Sequence, residues 1–238
     1  MSSRTRLFVF LALALVTATC IRLGLWQLGR LRERREANAV AASALAEPEA
    51  DLRSGAIGPW RRVRVTGEYD HAHEVVLRGQ AHREQPGVTV VTPLRMEGER
   101  GVVLVSRGFV PSADAISAEP DSLREPGTVT VHGVVLPLGS RPDSGAPLAR
   151  AGRTTWRGLD RAALSARLGV PLPDFYVAQL PDSALPAFPR RLPLPALDDG
   201  PHLSYAIQWF AFATIAVVGG TALLGRRRRD DQGRPSSS

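Results

Sequence analysis

Four side chains with chemistry to offer, His202, Tyr205, Gln208 and Trp209, stand at the mouth of an uncharged apolar run covering residues 203–224. Polar and aromatic groups at such an entrance can meet a bound ligand and lipid headgroups alike, so a binding site and an interfacial belt both fit these residues. A basic stretch, Arg22, Arg30, Arg32, Arg34 and Arg35, can contact headgroups or neutralise an anionic ligand. His71 and His73, two apart, would share a face if extended and could then hold a metal, but they follow Tyr69 at an expected turn and read as solvated turn residues. His82 and His132 stand singly. No His-Glu-x-x-His, Gly-x-Ser-x-Gly or phosphate-cradling glycine loop occurs. No catalytic residue is therefore assigned, and an enzyme is not expected.

The element behind His202 must be a helix. At 1.5 Å per residue, the 203–224 run reaches about 33 Å, enough to cross a hydrocarbon core of about 30 Å. A second apolar run begins at Leu7 and, carried through Leu28, contains a single charge, Arg22, near one end. It reads as an uncleaved span or as a signal peptide. The poor small-residue signature around Thr17-Ala18-Thr19-Cys20 favours the span. Residues 28–45 are charged, rich in alanine and free of proline, so the first helix should continue above the membrane.

Arginine is the only cation of length, since the chain contains no lysine. Arg226 to Arg229, with Asp198 and Asp199 on the opposite flank, give the second span a clear asymmetry and place the C-terminus in the cytoplasm. Arg4 and Arg6 favour the same side for the N-terminus, whereas Arg30 to Arg35 oppose it. The expected fold is a membrane protein, a two-helix transmembrane hairpin enclosing a mainly β (α+β) extracytoplasmic domain. Its parts are a cytoplasmic N-terminus (1–6), a first transmembrane helix (7–28), the extracytoplasmic domain (29–201), a second transmembrane helix (203–224) and a basic, disordered cytoplasmic tail (225–238). It would reside in the cell (inner or plasma) membrane as a multi-pass protein. The net charge of +7 owes much to the membrane flanks, which points to the lipid bilayer and not to nucleic acid. Cys20, the sole cysteine, excludes an intramolecular disulfide and any Cys-x-x-Cys centre.

Between the spans the pattern changes to alternation. In 61–69, Val63 and Val65 fall on one face and Arg62 and Arg64 on the other, as in a half-buried strand. Similar segments cover 74–78, 88–96, 101–109, 128–136 and 174–180. Loops are expected at 79–87, 97–100 and 111–127, and an irregular stretch at 137–153. A short helix is expected at 160–168, with Asp160 as N-cap and Gly169 as terminator. Prolines 181, 186, 189, 193, 195 and 201 make 181–201 an extended arm. Along the second span, His202, Ala206, Trp209, Ala213, Ala216 and Gly220 share one face at 100° per residue, a small-residue seam for a helix neighbour or a flat apolar ring.

Five segments, in order over almost the whole chain, carry a resemblance. They are Gly24-Leu25-Trp26-Gln27-Leu28 with Arg30, Pro86-Gly87, Thr92-Pro93-Leu94, Arg107-Gly108-Phe109-Val110-Pro111, and the run from His202-Leu203-Ser204-Tyr205 through Gln208-Trp209-Phe210. Together they resemble the Surfeit locus protein 1 family, the Shy1-type cytochrome c oxidase assembly factors. Ser106-Arg107-Gly108-Phe109 stands where that family commonly has Asn-Arg-Gly-Trp, and Gly200-Pro201-His202 where it often has Asn-Asn-His. The resemblance implies an assembly factor that assists insertion of haem a into the catalytic subunit of a haem-copper oxidase, that subunit and the haem a synthesis machinery being its partners. It implies a cofactor-binding set of His202, Tyr205, Trp209 and Arg30, with His202 as ligand to the haem iron. The positive end of a helix dipole suits an uncharged imidazole in that role, and Arg22, Arg30, Arg32 and Arg34 would meet the propionates. A membrane-anchored ligand-sensing module without a haem role is the alternative.

Overall fold

A computed structural model describes residues 3–54, 57–98, 101–118, 123–138, 147–150 and 153–232. They fall into two compact units, a helical one (Met1–Val40 with Leu197–Ser238) and a β unit (Ala41–Ala196).

In the helical unit, α1 (Ser3–Ala46) and α3 (His202–Gln232) are uninterrupted. The expected continuation of the first helix beyond the apolar run is present. α3 also runs past Leu224 to Gln232, so the tail begun at 225 is helical at first, a correction to the disordered reading; 233–238 lie outside the described residues. Both helices are long and apolar enough to cross a membrane. Their least exposed positions recur in steps of four and three: Leu13, Thr17, Cys20, Gly24 and Gln27 on α1, and His202, Ala206, Trp209, Ala213, Ala216 and Gly220 on α3. That 3.5-residue period is the signature of two helices pairing along one seam. The pairing is antiparallel. A Cβ on Gly24 would meet the Phe210 ring at 2.8 Å, and one on Gly220 would meet Leu13 at 2.7 Å, so each glycine is the hole that receives the other helix's large side chain. The small-residue face of α3 is thus spent on a helix neighbour, not a flat ring. The opposite faces, with Phe8, Leu15 and Leu25 on α1 and Ile207, Ile215 and Val218 on α3, are exposed and apolar.

Among its described residues the β unit contains nine strands: β1 (Ala50–Asp51), β2 (Arg62–Tyr69), β3 (Val75–His82), β4 (Gln85–Met96), β5 (Val102–Pro111), β6 (Thr128–Pro137), β7 (Leu148–Arg150), β8 (Arg153–Trp156) and β9 (Phe175–Gln179). β2 pairs with β6 on one side and with β4 on the other, closing the ring β2-β6-β9-β5-β4, in which only β5 and β9 run parallel. Closure removes the unpaired edges that an open sheet would expose. β3 extends the sheet from β4, and the hairpin β7–β8 from β3. Inward-facing residues alternate along each strand, and Val63, Val65, Leu94, Val103, Val105, Val131, Val135 and Val177 fill the ring. A second core, with Val75, Val91, Leu104, Trp156 and Leu164, lies under α2 (Arg161–Leu168). Asp160 caps α2 by accepting from the N–H groups of Ala162 and Ala163, and Gly169 ends it with φ 68°, both as expected.

Two loop expectations need correction. The stretch 79–87 is a hairpin whose strands continue to His82 and resume at Gln85, with Arg83 and Glu84 both at positive φ as a tight two-residue turn demands. Those residue types carry none of the usual signal for that turn. The stretch 137–153 contains β7 and the start of β8, while 139–146 and 151–152 lie outside the described residues.

Candidate functional site

His202, the first residue of α3, is half-buried, and its Nδ1 lies 2.9 Å from Oε1 of Gln27 on α1. An amide oxygen only accepts, so Nδ1 carries the proton, and in the uncharged ring Nε2 is the nitrogen with the lone pair. Gln27 reaches the ring because it lies on the heptad face of α1, one step from Gly24. The chain before His202 is held as well. Asn38 Nδ2 and Arg34 Nε donate to the Asp198 carbonyl at 2.7 and 3.2 Å, Arg35 pairs with the Asp199 carboxylate at 2.8 Å, and the Gly200 N–H donates to Asp198 Oδ1 at 3.1 Å. Gly200 has φ 65°, a conformation that glycine and asparagine share, so glycine here preserves the backbone that an asparagine would adopt.

Of the other residues expected at this site, Trp209 is half-buried on the seam, edge-on to Phe212 with ring centroids 6.0 Å apart. Tyr205 is exposed, off the seam. Arg30 is exposed and bonds Glu33 of its own helix. Arg34 and Arg35 are engaged by the chain's own Asp198 and Asp199, which removes Arg34 from the cations set aside for propionates. An imidazole oriented through one nitrogen has the donor character that an axial haem ligand needs, so the residue present fits the group.

A second constellation, in the β unit, escaped the sequence reading. Arg107 is fully buried, its side chain in phase with Val103 and Val105 and so directed into the ring. It is the extra residue of a bulge, because Val90 pairs with Gly108 and Val91 with Ser106. Its guanidinium lies 3.1 Å from Glu74 and 2.6 Å from Glu125, donates to the Leu123 carbonyl, and stacks 4.8 Å from the Tyr69 ring centroid. Glu125 is shared with Arg191, which also donates to Gln179 at 3.0 Å and to the Pro189 carbonyl at 2.9 Å. Two guanidiniums and two carboxylates thus balance at one end of the barrel. Burial pushes the Glu125 carboxyl up, but Arg107 and Arg191 outweigh it and hold the group below its ordinary value. Burial drives the Tyr69 hydroxyl well above the usual phenol range.

His71 belongs to this cluster and is not a solvated turn residue. It sits in a single 3-10 turn, with Nε2 3.3 Å from the backbone of Glu125 and Nδ1 3.5 Å from Glu74. His73 pairs with Asp70, His132 with Glu49, and His82 packs on Phe109. Among the described residues no three of His, Cys, Asp and Glu are grouped to hold a metal ion. The one available signal was Arg107 itself, a charge in the inward phase of an apolar strand; its partners are far apart in sequence.

Gly108 completes the arrangement. Phe109 and Arg190 exchange backbone hydrogen bonds of 2.9 and 2.7 Å, docking the proline-rich arm, and a Cβ at Gly108 would meet the Arg190 carbonyl at 2.3 Å with φ at 131°. The Arg-Gly-Phe run is therefore the seat of the arm.

Two apolar helices long enough to cross a membrane precede and follow, in sequence, a mainly antiparallel closed β domain, with a histidine at the start of the second of them. The SURF1 family profile matches residues 14–214, and the chain belongs to that family, known in general as oxidase assembly factors and not as enzymes. Among its relatives, a SURF1-like protein of Monosiga brevicollis is 28% identical, with 88% of this chain and 85% of the relative covered. A SURF1-like protein of Mycobacterium tuberculosis is 29% identical, covering 95% and 89%, and one of Rickettsia bellii is 28% identical, covering 83% of each.

Proposed function

We propose that this chain is a membrane-anchored assembly factor of a haem-copper oxidase that assists insertion of haem a into the catalytic subunit, with His202 as iron ligand. The observation that carries the reading is the bond from His202 Nδ1 to Gln27, which orients the ring and, when it is uncharged, makes Nε2 the nitrogen that would coordinate. Bound there, haem a supplies an iron centre and a flat apolar ring. Gln27 orients the imidazole, Tyr205 and Trp209 offer aromatic surface on the first turns of α3, and Arg30 and Arg22 provide cations along α1. The apolar outer faces of α1 and α3 support insertion in the cell membrane as a multi-pass protein. With Arg226 to Arg229 on the cytoplasmic side, both termini lie inside and the β domain outside. The lipid bilayer, the oxidase catalytic subunit and the haem a synthesis machinery are the partners in this reading.

The test is the absorption spectrum of the detergent-solubilised protein from cells that make haem a. A Soret band is expected in the unaltered chain and its loss in His202→Ala. An unchanged band in the variant would remove His202 from the role.

A further inference from the structure

The imidazole of His202 is held at the ring by Gln27, but a ring is aimed only as well as the backbone that carries it. That backbone follows a reversal, Asp198 to Pro201, whose own hydrogen bonds are few: the Gly200 N–H to Asp198 Oδ1, and the Pro201 carbonyl accepting from Tyr205 and Ser204 as α3 begins. Three side chains of α1 hold it from outside. Asn38 and Arg34 both donate to the Asp198 carbonyl, and Arg35 pairs with the Asp199 carboxylate. They lie seven to eleven residues beyond Gln27, on the continuation of the same face of α1. Their donors are directed at the protein's own chain and not at a ligand. Among the described residues no other side chain of α1 bonds the reversal, and without these three the first turn of α3 could rotate His202 away from Gln27.

Building on the reading of His202 as a ligand, we propose that Asn38, Arg34 and Arg35 are positioning residues of the His202 site, clasping the reversal 198–201 to α1 so that Nδ1 stays on Gln27. The clasp acts on the backbone, one step removed from the ring, as outer-shell partners of a metal ligand do.

The full-length protein in detergent is treated with diethyl pyrocarbonate, and acylation of His202 is followed by peptide mass spectrometry, with exposed His132 as internal standard. Asn38→Ala, and Arg35→Asp, which sets a carboxylate against Asp199, are expected to change the His202 rate several-fold relative to His132. The double variant Arg35→Asp/Asp199→Arg restores the ion pair with reversed sign and should return the rate to that of the unaltered chain. Hemin titration should weaken by about tenfold to a hundredfold in Arg35→Asp and recover in the double variant. A purely structural role would lower the melting temperature while leaving the acylation ratio of the folded protein unchanged, and that result overturns the proposal, as does failure of the charge swap to restore the rate. Acylation needs no haem, so a hemin titration indifferent to His202→Ala would reject the ligand reading while the acylation rates still decide the clasp.

Discussion

Arg107 donates from both terminal nitrogens, to Glu74 and Thr92 with one and to Glu125 and Leu123 with the other, with no exposed surface. Removing a buried charge so engaged strands Glu74 and leaves Glu125 with Arg191 alone, so Arg107→Ala should cost about 3–5 kcal/mol, read from chemical denaturation. The same cluster makes stability depend on acid. Glu125 is held below its ordinary value of 4.5 in the fold, so its contribution is complete above that value and is lost as pH falls through the folded one. The melting temperature should therefore drop on acidification below the ordinary carboxylate range, and Glu125→Gln should flatten that acid limb while lowering stability at neutral pH. Little of this was legible beforehand. An arginine in phase with Val103 and Val105 marks an oddity, but nothing in the chain says that Glu74, Glu125 and Arg191 converge on it, since convergence depends on barrel closure.

Elements with a period could be read directly. The face from His202 to Gly220 repeats in fours and threes in the residue string, and the structure uses it as the pairing surface, because alanine and glycine let the backbones approach. The matching face of α1 was harder to see, since Thr17, Cys20 and Gln27 are not small and apolar in the same way. Gly24→Leu tests the seam. Its side chain would begin 2.8 Å from the Phe210 ring, overpacking worth about 1–3 kcal/mol against pairing. Cys20 is buried on the same face and reports the result, so faster alkylation by N-ethylmaleimide is expected in Gly24→Leu than in the unaltered chain. The hairpin at Arg83-Glu84 was illegible for the opposite reason: its turn is imposed by the pairing of β3 with β4, not by residues that favour positive φ.

For the molecule as a whole, alternation announced a mainly β domain but could not give strand order, because a period of two says which side faces in and nothing about which neighbour lies alongside. Boundaries depended on the question asked: membrane thickness placed the domain from Gly29, whereas compactness places it from Ala41. The proposed orientation is checked by single cysteines at Thr5 and Asp230 in a Cys20→Ser background. In intact cells an impermeant maleimide should leave both unlabelled and should label a cysteine at Arg64, an exposed site in the β domain. The ring also has an order of completion. β9 lies between β5 and β6, and it is the last of the five to leave the ribosome. Until it emerges, the nascent barrel is a curled sheet with a gap, and the final strand enters as a keystone, parallel to one neighbour and antiparallel to the other. A premature stop anywhere before Phe175 therefore yields no smaller working version, only two facing rims with nothing to join them.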